Sequence, residues 1–234
     1  MDSMEEAGRN PRVVRERRTG SRIVLEHRFA DAMVRAGNAL AEISGEPLTV
    51  HSSELRRHTA GEILELAGGP EAVVVAVYVG ISGPLSGHAL MLLHPTDARR
   101  LARLLLDGLA DLDSSDGSGS LYQPDPLERS ALEETGNVVI ANFLNAFAPI
   151  DLAETIHVSV PESVVDMAGA ILDGILIDLS SAEDTFLVES TAFHSAAGRI
   201  NLTLLVLPRL ATLADFSHAE GYRRAVPAGN GAGA

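Results

Sequence analysis

The stretch VSVPESVVDMAGAIL, residues 158–172, repeats an earlier stretch of the same chain, VHSSELRRHTAGEIL, residues 50–64. The two are identical at six of fifteen positions: Val, Glu and the run Ala-Gly-x-Ile-Leu. Upstream, DAMVRAGN at 31–38 aligns with SALEETGN at 130–137 and shares Ala, Gly and Asn with it. Self-similarity of this length indicates one supersecondary unit used twice.

The repeat also predicts how the chain is divided into regions. A Ser-, Gly- and Asp-rich segment, DLDSSDGSGSLYQPD at 111–125, separates the two copies and is typical of a linker. Neither copy is large enough to stand alone, so we expect a single domain, 25–216, with one shared core around a pseudo-twofold axis. The predicted regions are a disordered leader 1–24, a first half 25–108, a linker 109–125, a second half 126–216 and a disordered tail 217–234.

Hydrophobic periodicity predicts the same order of elements in each half: a long helix, a short strand, a second helix, two strands and a closing helix. Tight turns around 80–87 and 194–198 predict hairpins, and hairpins make the sheet largely antiparallel. The expected fold class is therefore α+β. The predicted helices are 25–44, 54–66, 96–108, 126–147, 162–175 and 209–216; the predicted strands are 47–51, 71–79, 86–93, 155–160, 184–193 and 199–207.

Composition excludes several kinds of function. The chain has no Cys, which removes thiol catalysis, disulfides and cysteine-bound metal. All 18 cationic residues are Arg, so chemistry that needs lysine is also excluded. A net charge of -14 argues against binding nucleic acid or anionic membranes. No apolar run reaches the roughly 20 residues that span a bilayer, and the charged N-terminus is not a signal peptide. We therefore expect a cytoplasmic protein that does not insert into a membrane.

The predicted helix 126–147 carries a polar line on one side. Ser130, Glu134 and Asn137 stand at i, i+4 and i+7, which a period of 3.6 residues stacks on one face. An ordinary solvated face is one interpretation, because Ser, Glu and Asn are common surface residues. Glu133 points about 100° away from Glu134, so the two do not form a carboxylate dyad. The opposite side is expected to be buried: Leu132, Gly136, Val139, Ile140, Phe143 and Phe147.

The first half places Asp31, Arg35 and Asn38 at the same three positions of its long helix. The pair Gly-Asn recurs there, although both residues are poor helix formers and most of the helix has diverged. A recurrence of this kind favours a functional face over a merely solvated one.

Ser-x3-Glu-x2-Asn, followed after 23 residues by Pro161, in one of two duplicated helices, resembles the CheC/CheX/FliY family of chemotaxis phosphatases. The family pattern is Asp or Ser, x3, Glu, x2, Asn, x22, Pro; an insertion around APIDLAE, 148–154, explains the longer gap. The resemblance covers about residues 25–216. Arg35 replaces the glutamate and Ser53 the proline in the first half, which implies one competent site and one degenerate site. A stand-alone, CheC-type protein is expected, because only a short segment follows Pro208.

The family hydrolyses the aspartyl phosphate of CheY-type response regulators. The resemblance implies that Asn137 holds the attacking water and that Glu134 pairs with the regulator's active-site lysine. The regulator brings its own Mg²⁺, so no cofactor of the chain itself is expected. Ser130 is expected to be peripheral, and Pro161 is expected to shape the strand-to-helix turn. Gly136 has two interpretations, either a close approach to the partner or a helix–sheet contact that tolerates no side chain.

Two other hypotheses stay open at this point. A CheC-like scaffold would bind a response regulator, or a CheD-type receptor deamidase, without turning over phosphate. A structural α+β domain outside chemotaxis would use neither polar line.

Overall fold

The computed structural model describes residues 11–45, 49–51, 56–106, 122–148, 155–179, 186–188, 192–195 and 198–209. The fold is α+β, as predicted, and every described strand pair is antiparallel. In chain order the elements are α1 Pro11–Ser44, β1 Thr49–His51, β2 Arg56–His58, α2 Ala60–Leu66, β3 Val73–Ser82, β4 Gly87–Leu93, α3 Pro95–Leu105, α4 Pro126–Phe147, β5 His157–Val158, β6 Glu162–Met167, α5 Ala168–Leu179, β7 Phe186–Val188, β8 Ala192–Ser195 and β9 Gly198–Pro208.

The strand pairing is symmetric between the two halves. The main sheet has the order β1-β8-β9-β4-β3-β5, with β6 also beside β3, and β2 pairs with β7. The two central strands, β4 and β9, come from equivalent places in the two halves. On either side of them, β1 of the first half pairs with β8 of the second, while β5 and β6 of the second half pair with β3 of the first. Each half therefore completes the sheet of the other, which is the arrangement that a pseudo-twofold axis produces.

Helices cover both faces of the sheet, and the alternation of side chains along the strands divides the core. On β3, Val75, Val77 and Val79 pack towards α1, α3 and α4, whereas Val74 and Ala76 pack towards α2 and α5. Successive strand residues point to opposite faces. Because both faces of β3 are buried, its sequence is a near-continuous aliphatic run.

The two long helices lie on the same face and contact each other directly. The ring of Phe29 in α1 stands edge-on to Phe143 of α4, with centroids 5.1 Å apart, and to Phe147 at 6.1 Å. Edge-to-face pairs of this kind are a favoured aromatic geometry. These contacts fix α1 beside α4 and leave an outer side of each helix exposed.

The second helix of each half begins later than the sequence predicted. Residues 162–167 form β6 rather than the start of a helix, and they pair with β3 from Tyr78↔Glu162 to Val73↔Met167. In the first half, β2 precedes α2, whose start is fixed by a reciprocal cap between Thr59 and Glu62. The repeat alignment pairs Ala60 with Ala168, and these residues begin α2 and α5.

Other boundaries also differ. α1 begins at Pro11 rather than at 25, so it includes residues that the sequence assigned to the leader. Arg and Glu are good helix formers that extend a helix without adding an apolar stripe. Tyr122, at the end of the predicted linker, is buried. The predicted strand 184–193 is divided into β7 and β8. The predicted helix 209–216, the tail and residues 1–10 lie outside the described residues, except for Arg209.

Candidate functional site

The start of α4 is fixed by its cap, and the cap sets which side chains face outwards. Asp125 Oδ1 accepts hydrogen bonds from the backbone N–H groups of Leu127 at 2.7 Å and Glu128 at 2.9 Å. Glu128 Oε2 accepts the N–H of Asp125 at 3.0 Å in return. With Pro126 in the first turn, this is a capping box with a preorganised first residue.

The three predicted site residues share the outer side of α4, which we call the α4 polar face: Ser130, Glu134 and Asn137. Ser130 and Glu134 are exposed and Asn137 is half-buried. Ser130 Oγ donates to the carbonyl of Pro126 at 2.9 Å, so this hydroxyl is engaged by its own helix. Glu134 and Asn137 are three residues apart, a spacing that makes their side chains neighbours. The side predicted to be buried is buried: Leu132, Gly136, Val139, Ile140, Phe143 and Phe147.

Gly136 faces the sheet. A Cβ at this position would lie 2.6 Å from Val77 Cγ1 and 2.9 Å from Val77 Cβ, which is too close for any side chain. Of the two interpretations, the helix–sheet contact is the one that the structure supports. Gly136 brings α4 close to β3 and offers no surface to a partner.

Pro161 lies in a bulge, residues 159–161, and is partly buried. The flanking strands β5 and β6 both pair with β3, Val158 with Ile81 and Glu162 with Tyr78, so three residues stand opposite two. Within the bulge, the Ser159 N–H donates to Gly80 O at 2.9 Å and Ser159 Oγ accepts the Gly80 N–H at 3.0 Å, while Val160 is 80% exposed. Pro161 therefore belongs to a bulge with an exposed apolar residue and not to the expected strand-to-helix turn, since β6 follows it.

Sequence reasoning missed one residue of this region, Glu133. Its Oε1 accepts two hydrogen bonds from Ser163 of β6, one from Oγ at 2.6 Å and one from the backbone N–H at 3.1 Å. The contact joins residues that are 30 positions apart, so no local pattern could reveal it. The repeat gave one indication that Glu133 has a role specific to the second half, because the aligned residue in the first half is Val34.

The first half places its three residues in the same way, on what we call the α1 polar face: Asp31, Arg35 and Asn38. All three are exposed, and the neighbouring Gly37 is buried. The structure therefore presents two similar faces on the same side of the sheet. They differ in charge, because a guanidinium stands where the second half has the Glu134 carboxylate.

The chemistry available on the α4 polar face is that of a carboxylate and a carboxamide. The carboxylate can pair with a cation, and the carboxamide can both donate to and accept from water. Within the part of the chain that the structure describes, no group of three His, Asp or Glu side chains is placed to hold a metal ion. Over the same residues, no helix is both long enough and apolar enough to cross a membrane.

The sequence is similar to those of two proteins of known name. It is 25% identical over 162 residues to the CheY-P phosphatase CheC of Bacillus subtilis (strain 168), a match that covers 69% of this chain and 74% of that protein. It is 34% identical over 93 residues to the CheC1 protein of Halobacterium salinarum, covering 38% of this chain and 43% of that protein. No protein-family model matches the sequence.

The fold is also that of a solved structure. FliY of Thermotoga maritima superposes with a TM-score of 0.61 over 87% of this chain and 94% of that one, at 14% sequence identity. At this identity the likeness shows a shared fold. The CheC sequence matches and the Ser-x3-Glu-x2-Asn line on an exposed helix support the resemblance to the CheC/CheX/FliY family.

Proposed function

We propose that this protein hydrolyses the aspartyl phosphate of a CheY-type response regulator through Glu134 and Asn137. The observation that carries the proposal is the outward presentation of these two residues, side by side, on one face of α4. The name of the Bacillus subtilis relative, a CheY-P phosphatase, supports the reaction class.

Hydrolysis of an aspartyl phosphate requires the chain mainly to position the attacking water. Water attacks phosphorus in line, the bond from phosphorus to the aspartyl oxygen breaks, and the products are the regulator's carboxylate and inorganic phosphate. Phosphoryl transfer is accelerated mainly by positioning and by charge stabilisation. Asn137 does not titrate near neutral pH, so its carboxamide orients the attacking water without acting as a base. The regulator supplies Mg²⁺ and a lysine.

Glu134 has a different role, that of docking. Its exposed carboxylate pairs with the regulator's active-site lysine and fixes the position of the partner, so that Asn137 enters the phosphorylated site. Arg35 would repel the same lysine. The second half is therefore the active one, and the α1 polar face is a degenerate copy.

The test is phosphate release from a phosphorylated CheY-type receiver domain with Mg²⁺ present. The parent protein should accelerate release and Asn137→Ala should remove most of the acceleration. Asn142→Ala is the matched control, because Asn142 is exposed on the same helix and its Nδ2 donates to the carbonyl of Val138. Full turnover by Asn137→Ala would overturn the catalytic role. Binding without turnover by the parent would favour the scaffold, whose partner would be the regulator or a CheD-type deamidase.

A further inference from the structure

The contact between Glu133 and Ser163 connects the helix that carries the α4 polar face to β6, the strand that follows the 159–161 bulge. Ser163 lies on β6, which pairs with β3 among the described strands. An edge strand leaves part of its backbone N–H groups without a strand partner. The carboxylate of Glu133 accepts hydrogen bonds from the N–H and from the hydroxyl of Ser163. Hydrogen bonds to a carboxylate are stronger than those between neutral groups.

The contact lies immediately beside the proposed site. Pro161 is two residues before Ser163, which puts their Cα atoms at most about 7 Å apart. Glu134 follows Glu133 directly in α4. β3 holds the bulge on both sides, by its pairing with β5 and β6 and by the Ser159–Gly80 hydrogen bonds. The contact of Ser163 with Glu133 joins the same segment to the helix of the α4 polar face.

At the two aligned positions, the first half has no side chains that could form such a hydrogen bond. Val34 stands at the position of Glu133 and is 53% exposed. In the repeat alignment, Leu55 stands at the position of Ser163; it lies outside the described residues. Neither Val nor Leu has a side chain that can donate or accept a hydrogen bond. The attachment therefore belongs to the half that carries Glu134 and is missing from the half that carries Arg35.

We propose that Glu133 is a positioning residue: through Ser163 it holds α4 in register with the 159–161 bulge, so that bulge and helix form one docking surface for the regulator. The inference rests on the proposed function in taking a CheY-type regulator as the partner. Val160, the exposed residue of the bulge, is the apolar part of this surface, and Glu134 is its charged part.

A residue that only fastened β6 to α4 would change stability and nothing else, so the test separates docking from stability. The variants are Glu133→Ala, Glu133→Gln, Ser163→Ala and the double Ala variant. Each is measured for its Kd towards a beryllofluoride-activated CheY-type receiver, for KM and kcat of phosphate release, and for Tm. Kinetics are run at a temperature well below every Tm.

The expected loss for Glu133→Ala is about tenfold in Kd and in KM, the size of one net hydrogen bond to a charged group. Its kcat should stay within about twofold, since Asn137 is unchanged. Glu133→Gln keeps an acceptor oxygen and should recover most of the affinity. The double variant should be little worse than Glu133→Ala alone, because both single changes remove the same contact.

Asp166→Ala is the control for loss of a carboxylate from β6. Asp166 pairs with Val74, so its side chain lies on the face of the sheet opposite α4. Asp166 is exposed on β6 and its Oδ1 accepts the N–H of Met167 at 2.7 Å, which leaves the Ser163 contact intact. Its Kd and KM should match those of the parent. If Asp166→Ala or Glu133→Gln weakens docking as much as Glu133→Ala, charge rather than the contact is responsible and the positioning role is overturned.

The two proposals can fail separately. If the receiver binds with the expected dependence on Glu133 but no phosphate is released, catalysis fails and the docking role of Glu133 holds. If phosphate is released through Asn137 while Glu133→Ala keeps the parent's Kd and KM, the positioning role fails alone. If the activated receiver does not bind the parent protein, both are overturned.

Discussion

The two long helices share the spacing of their outward-facing polar residues but differ in the residue types at those positions. In α1 and in α4 a polar residue, a charged residue and an asparagine follow one another at i, i+4 and i+7, with a buried glycine before the asparagine. The halves differ where a partner would be met. Arg35 faces solvent in one and Glu134 in the other, and each is preceded by a different residue, Val34 or Glu133.

This comparison separates what the fold requires from what a site requires. Met33 and Leu132 occupy equivalent positions and both are buried, as are Ala36 and Thr135. Packing explains why these positions stay small or apolar, because cores are sensitive to volume. It does not explain the recurrence of an asparagine on the outer side. The differences at Arg35/Glu134 and at Val34/Glu133 are therefore not required by the packing of the scaffold.

Replacing one asparagine at a time by alanine should show the largest difference in catalytic contribution between the halves. We expect Asn137→Ala to lower kcat about 100-fold, the loss that follows when a reacting group is no longer positioned. Asn38→Ala should leave most of the activity. The measurement is single-turnover phosphate release from a phosphorylated CheY-type receiver. Equal losses from both variants would show that the first half works despite Arg35.

Removing the charge of Glu134 should act on docking and depend on salt. We expect Glu134→Ala to raise KM about 30-fold, corresponding to the loss of about 2 kcal/mol when one partner of an interfacial charge pair is truncated. kcat should change little. Because exposed charges are screened, added salt should raise the KM of the parent and affect the variant less. The assay is a salt series of KM for both proteins; parallel responses would contradict a charge pair at Glu134.

Glycines on the two sides of the sheet should respond with opposite signs to the same substitution. Gly136→Ala forces a methyl group against Val77 and should lower the free energy of unfolding by about 1–3 kcal/mol. Gly174 of α5 has nothing within 4 Å of an added Cβ, so Gly174→Ala should stabilise by about 0.5–1 kcal/mol. Urea denaturation monitored by circular dichroism measures both. A neutral Gly136→Ala would show that α4 can move away from β3.

The parts of this picture that sequence could predict are those that depend on near neighbours. The faces of α4 follow from its period of 3.6 residues, and the hairpin of β3 and β4 follows from its turn. The repeat added long-range information, because it aligned Ala60 with Ala168, where α2 and α5 begin.

The parts that were wrong or missed depend on partners distant in the chain. Residues 162–167 become a strand because β3 offers them a partner, and nothing in SVVD itself decides between strand and helix. The role of Glu133 depends on a residue 30 positions away. Gly136 was ambiguous because a glycine facing a sheet and one facing a partner look the same in sequence.

The smallest expected effect concerns Tyr122, where the two halves meet. Its ring lies under the guanidinium of Arg99 in α3, 4.7 Å from the ring centroid, and it precedes α4 of the second half. The hydroxyl is buried and, among the described residues, has no hydrogen-bond partner. Burial, and next the negative charge of Glu128, raise the pKa of Tyr122 well above its usual range.

The sign of the pH dependence follows from that shift. Below about pH 10 the phenol is neutral in both the folded and the unfolded chain, so the contribution of Tyr122 to stability is constant. Above it the unfolded chain releases the proton while the folded chain keeps it, and stability falls by up to about 1.4 kcal/mol per pH unit. Tyr122→Phe should be neutral at pH 7, since no hydrogen bond is lost, and should fall less steeply than the parent at alkaline pH. Because the chain has no Lys, no lysine titration overlaps the difference in stability between parent and variant in this pH range. Urea midpoints from about pH 8 to about pH 11 test it around the usual tyrosine pKa; coinciding curves for parent and variant would show that Tyr122 ionises as easily in the folded protein as in the unfolded chain.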